Sequence, residues 1–137
     1  MKQPTAVACI TGSVGLHGTV SFCQTSKGVL VTVKIHNLPH NGFFALHIHE
    51  GANCRGAGYP NTGGHFNPTG KPHPNHAGDL PPLISCGGEV YLSVLTDRFC
   101  LRQVVGRTVV IHSKRDDFTS QPSGDAGTKI GCGVIRA

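Results

Sequence analysis

No stretch of this sequence repeats apolar residues at the 3.6-residue period of an amphipathic helix; short runs of period two follow one another instead. In 28–36, Val29, Val31, Val33 and Ile35 share one face of an extended chain, and Leu30, Thr32, Lys34 and His36 share the other. Similar runs at 6–10 and 18–24 complete a meander, and others occupy 43–50, 89–96, 107–113 and 130–135, with a weaker one at 80–85. Nineteen glycines and nine prolines punctuate the chain. Eight short strands separated by turn signals predict an all-β fold, an antiparallel sandwich or barrel. A chain of 137 residues has room for one core, so a single domain over 1–137 is expected.

Two connections, 51–79 and 114–127, are too long for hairpins. Long loops without structure of their own are usually functional. Charge and hydropathy exclude other classes. No apolar run approaches the ~20 residues of a membrane-spanning helix. The opening MKQPTAVA holds one Lys and enters the first strand-like run, without the apolar stretch of a secretory leader. A cytoplasmic chain, or a mature form whose leader was removed, is expected. The formal net charge is +5, but the basic residues are scattered and aromatics make up only 6%, which disfavours nucleic acid. The charge suits solubility, and it suits a small anionic substrate equally well. Six cysteines (Cys9, Cys23, Cys54, Cys86, Cys100, Cys132) form no C-x-x-C pair; their even number permits a disulfide without proving one.

The nine histidines are more informative, because six of them crowd into short segments. In Phe43-Phe44-Ala45-Leu46-His47-Ile48-His49, the inward Leu46 and Ile48 leave His47 and His49 together on the outer face. Two imidazoles so spaced can chelate one ion, although an H-x-H alone is more often a pair of surface histidines. The loop 51–79 then supplies His65, His73, His76 and Asp79, at spacings of eight, three and three. Three imidazoles and a carboxylate match the donor set of a closed tetrahedral zinc site. In Thr108-Val109-Val110-Ile111-His112, Val109 and Ile111 face the core and His112 leaves the strand end on the outer side.

The segments LHIHE, GGHFNP, HAGD, GRTVVIH and GCGVI, in this order and spacing, resemble those of copper–zinc superoxide dismutases, over nearly the whole chain from Ala6 to Ile135. The resemblance implies an eight-stranded antiparallel Greek-key β-barrel, a flattened sandwich with two long functional loops. It implies copper on His47, His49, His65 and His112, and zinc on His65, His73, His76 and Asp79, with His65 bridging the two metals and serving as a proton carrier. Asp116, four residues past His112, takes the place of the carboxylate that hydrogen-bonds one ligand of each metal. Cys54 and Cys132 correspond to the family's disulfide, which ties the long loop to the last strand. The other four cysteines have no counterpart and are expected to be free thiols.

Three departures accompany the resemblance. Lys129 stands where the family usually has the Arg that guides the anion to copper; it keeps the charge but loses the planar fork and its rigidity. The loop 114–127 is shorter than in animal members. The stretch from His49 to Cys54 is shorter and that from Cys54 to His65 longer than theirs, a pattern similar to bacterial members. That pattern argues against the animal-type dimer and leaves a bacterial-type homodimer or a monomer. The expected activity is conversion of superoxide to dioxygen and hydrogen peroxide, with superoxide anion as the substrate and neither nucleic acid nor membrane as partner. The rival readings are a copper/zinc storage or delivery protein with incidental activity, which the full set of four copper histidines disfavours, and a copper-only dismutase, which the intact zinc set disfavours.

Overall fold

The computed structural model describes residues 5–137. Residues 1–4, the start of the opening read as lacking a leader and of the expected domain, lie outside the described residues. In chain order the strands are β1 (Thr5–Gly12), β2 (His17–Thr25), β3 (Gly28–His36), β4 (Gly42–Phe44), β5 (Leu46–His49), β6 (Leu83–Ser85), β7 (Val90–Thr96), β8 (Thr108–His112) and β9 (Lys129–Arg136). One helical turn, α1 (Leu101–Val104), precedes β8. None of the described helices is long and apolar enough to cross a membrane.

The strands do not close into the eight-stranded Greek-key barrel that the resemblance implies. Seven form a curled, open sheet in the order β5-β8-β9-β1-β2-β3-β7, and β4 and β6 form a separate two-stranded sheet. The cause is local. The expected strand 43–50 is cut at Ala45, whose N–H donates to the Lys114 carbonyl at 2.9 Å and whose carbonyl accepts from His112 N–H at 3.0 Å. Its two halves therefore join different sheets. The expected strand 80–85 shrinks to its last three residues, because Pro81 and Pro82 have no N–H to offer a ladder.

Alternation places the core on the concave side. Val29, Val31, Val33 and Ile35 are fully buried, as are Ala8, Val20, Phe44, Ile48, Leu83, Val109 and Ile135. Burying a side chain the size of Val, Leu or Phe contributes about 1.5–3 kcal/mol over leaving it exposed. At β5 the alternation is hidden, since all four residues are buried. The loop 51–79 lies along the free edge of this strand: Ile48 N–H donates to Gly78 O at 2.8 Å, Phe66 N–H to Ile48 O at 2.8 Å, and Glu50 N–H to Gly64 O at 2.9 Å. The loop thus pairs an edge that would otherwise be open and roofs over the face carrying His47 and His49.

Candidate metal centre

The same edge pairing sets the histidines against one another. His49 stands opposite His65, and His47 opposite Asp79, in isolated antiparallel bridges. On the other side of β5, His47 pairs in register with Val110, and His112 ends β8 beside Lys129 of β9. The Cys54–Cys132 disulfide, with Cα atoms 5.9 Å apart, fastens the beginning of the loop to β9. Cys9, Cys23, Cys86 and Cys100 are free.

All six histidines and both carboxylates singled out in the sequence are buried. His47, His49, His65 and His112 each present a donor atom within 4.8 Å of the others. His49 Nε2 and His112 Nε2 are 3.2 Å apart, and the rings of His47 and His65 are 3.9 Å apart at their centroids. On the far side of His65, donor atoms of His47, His65, His73 and Asp79 meet the same limit. His76 joins this second group, with Nδ1 3.1 Å from His65 Nδ1 and 3.2 Å from Asp79 Oδ2. The Nε2 of His47 is engaged with Asp116 and its Nδ1 belongs to the first group, so His76 is the chemically available fourth member.

Four of the six rings are oriented through the nitrogen that faces away from the clusters. His47 Nε2–H donates to Asp116 Oδ2 at 2.8 Å, and His73 Nε2–H to Asp116 Oδ1 at 2.7 Å. His49 Nδ1–H donates to the Gly63 carbonyl at 2.7 Å, and His112 Nδ1–H reaches the Gly127 carbonyl at 3.4 Å. These bonds fix the tautomers and aim the remaining lone pairs inward, as ligands of a metal require. His47 Nδ1, His65 Nε2 and His73 Nδ1 are buried without a hydrogen-bond partner. His73 Nδ1 lies 3.0 Å from Asp79 Oδ2, close in distance but without hydrogen-bond geometry. An unmet buried polar atom costs about 1–3 kcal/mol. Cations in the two clusters meet all three, and the donor sets, four nitrogens on one side and three nitrogens with a carboxylate on the other, suit copper and zinc.

The electrostatics agree. Burial pushes the His49 pKa down to about 2 against its Gly63 bond, with positive charge on His65, His112 and Lys129 acting the same way. Burial lowers His112 to about 3, helped by charge on His47. Burial also lowers His47 and His76, against their carboxylate partners. The rings are thereby kept neutral and able to bind metal. For Asp79, burial is outweighed by the His65 bond and by charge on His73 and His76, which hold its carboxyl below the usual range. Asp116 is held well below it, again against burial, by its bonds from His47, His73 and the Phe118 N–H.

A cleft lined by His49, His65, His112, Gly127 and Lys129 opens onto the first cluster. Lys129 is half-buried, and its ammonium donates to Thr62 Oγ1 at 2.6 Å and to the Tyr59 carbonyl at 3.4 Å. The flexible stem expected from the sequence is therefore tethered. Sequence reading missed four further residues. Thr62 anchors Lys129. Arg98 Nη1 donates to the carbonyls of Pro74, His76 and Asp79, at 2.8, 3.3 and 3.3 Å. Gln121 clasps the His73 backbone from both sides, at 2.9 and 2.7 Å. Gly124 leaves room for Asp116 and His73 to meet. Only Gly124 carried a signal, as a loop glycine of the kind that close approach demands.

Comparison with known proteins agrees with this geometry. Residues 16–135 match the family model described as copper/zinc superoxide dismutase. The chain is 38% identical to copper–zinc superoxide dismutase 2 of Aquifex aeolicus, over 87% of this chain and 78% of that protein. It is 35% identical to the copper–zinc superoxide dismutase of Legionella pneumophila, over 87% and 77%. Among solved structures it resembles the clock protein EA4, with a TM-score of 0.86 at 31% identity over 99% of this chain and 96% of that one. It also resembles a double mutant of a SOD-like protein from Bacillus subtilis, with a TM-score of 0.84 at 26% identity over 96% and 97%. Matched along most of its length and carrying both histidine clusters, the chain belongs to the copper/zinc superoxide dismutase family.

Proposed function

We propose that His47, His49, His65 and His112 hold the copper, that His65, His73, His76 and Asp79 hold the zinc, and that Lys129 guides superoxide to the copper side. The enzyme is a superoxide dismutase, an oxidoreductase using both metals. The observation that carries the site assignment is the set of three buried ring nitrogens without partners, aimed into two adjoining clusters that share His65.

Copper, when bound, supplies the alternating one-electron oxidation and reduction by which two superoxide anions become dioxygen and hydrogen peroxide. The chain's own residues do the rest. Lys129, held at the cleft by Thr62, gives an approaching anion an attractive field. His65 presents Nε2 to the copper side and Nδ1 to Asp79 and His76, so Nε2 is the atom placed to hold one of the two protons that peroxide takes up. Asp116 accepts one bond from each cluster and so couples their orientations. The rival storage or delivery reading needs no cationic residue at an open cleft. The short stretch between His49 and Cys54 supports a bacterial-type homodimer or a monomer, which sedimentation of the metal-loaded protein distinguishes.

The test is metal analysis of the purified protein with superoxide-removal assays before and after copper loading. One copper and one zinc per chain, with activity rising on loading, is the expected result. A fully loaded chain no faster than free copper overturns the proposal.

A further inference from the structure

Three histidines lie outside the metal centre, and two of them, His17 and His36, are register partners on adjacent strands β2 and β3. Both are exposed. Their ring centroids are 5.0 Å apart with planes inclined by 31°. His49 and His112, within the metal centre, lie at a similar centroid spacing and inclination, 5.3 Å and 28°. The outer pair also shares the orienting device of the inner one. His17 Nδ1–H donates to the Gly15 carbonyl at 2.9 Å, and His36 Nδ1–H donates to the Glu89 carboxylate. Both rings are thus fixed as the Nδ1–H tautomer, and each keeps its Nε2 lone pair free.

We propose that His17 and His36 form a third metal site, on strands that carry none of the copper or zinc ligands, which binds a first-row divalent cation through the two Nε2 atoms. Glu89 and the Gly15 carbonyl act behind the ligands: they hold the rings and make them more basic, as oxygen partners of metal-bound imidazoles do. Water completes the coordination, since the site faces solvent. Imidazole donors order the ions, with Cu(II) bound more tightly than Zn(II) and Mn(II) least.

The experiment uses holoenzyme already carrying one copper and one zinc, freed of excess metal and titrated calorimetrically with Zn(II), then Cu(II), then Mn(II), at neutral pH. Wild type is expected to take one further equivalent, with affinity falling from Cu(II) through Zn(II) to Mn(II) and the His17 and His36 ring resonances shifting or broadening. Glu89→Gln should weaken the added equivalent by roughly 10- to 100-fold while both ligands remain. His17→Ala and His36→Ala should each weaken it at least as much. Unchanged retention of the resident ions shows that each variant is folded. A surface His36–Glu89 ion pair and nothing more gives no third equivalent. That result overturns the proposal, as does a third equivalent whose affinity is the same in the His17→Ala/His36→Ala double variant.

Discussion

The ammonium of Lys129 donates to the Thr62 hydroxyl across 2.6 Å, tying the last strand to the loop that roofs the metal centre. Thr62 is fully buried, and its own hydroxyl donates to the Tyr59 carbonyl at 2.9 Å. The positive charge at the cleft is therefore fixed by the loop, even though the lysine stem is itself flexible.

Lys129→Ala should lower kcat/KM for superoxide by about tenfold, equivalent to ~1.4 kcal/mol in the barrier. Lys129→Arg should leave it unchanged or raise it. Thr62→Val, which keeps the charge but frees it, should give a smaller loss than Lys129→Ala. Each difference should shrink as salt rises, because the screening length is about 10 Å at 0.1 M. Burial lowers the Lys129 pKa, so guidance should fade on the alkaline side sooner than for an ordinary lysine. Superoxide removal by equally metallated variants across an ionic-strength series is the measurement. Equal rates for Lys129→Ala and wild type at low salt would show that Lys129 guides nothing.

Acid should destabilise the metal-free chain well before carboxylates of ordinary pKa titrate. Burial holds His49 at about 2 and His112 at about 3, against an unfolded value near 6.5. Between those limits the unfolded chain binds protons that the folded one does not. Stability is therefore full above the unfolded value and is lost as pH falls, by up to about 1.4 kcal/mol per pH unit for each ring. Urea midpoints of stripped protein from pH 7.5 down to 4 test this, and a flat profile would contradict it.

Cutting the Cys54–Cys132 link with a Cys54→Ser/Cys132→Ser pair should cost about 4–5 kcal/mol in the chain-entropy account, given a sequence separation of 78. The loss should also reach the site, since Thr62 and His65 lie on the segment that the bridge secures. Denaturant unfolding and zinc retention, compared in oxidised wild type and the double variant, check both parts. Unchanged stability would mean that the loop holds itself in place.

The clustering of these side chains was legible because their spacing is chemical. H-x-H on a strand and three histidines with a closing aspartate in a loop need only sequence to be seen, and the structure gathers all six histidines and Asp79 into adjoining clusters. Closure of the sheet was not legible, because it turns on Ala45 diverting its backbone to Lys114 and His112, and a hydrophobic pattern carries no trace of that choice. Nor were the braces. Arg98 and Gln121 act on backbone carbonyls and amides far away in sequence, and such contacts impose no pattern on their own neighbours.

The sharpest test of how the two clusters are coupled is Gly124→Ala. Gly124 is buried at φ +77°, in the left-handed region that favours glycine. A methyl group there would stand 2.6 Å from His73 Nε2 and 2.7 Å from Asp116 Cγ, between the two partners of a hydrogen bond. Neither can withdraw easily, because Asp116 is also held by His47 and the Phe118 N–H, and the His73 backbone by Gln121. The substitution should therefore break the His73–Asp116 bond and release His73 from its orientation, while leaving the strand residues His49 and His112 alone. Loss of such an orienting partner weakens metal binding by roughly 10- to 100-fold. Zinc retention against a chelator should fall by that factor, and copper retention should fall less. Asp116→Asn, which leaves the space but removes the charge, should weaken both metals together, because both His47 and His73 lean on that carboxylate. If Gly124→Ala retains zinc as wild type does, the close approach is not what orients His73, and Asp116 serves the copper side alone.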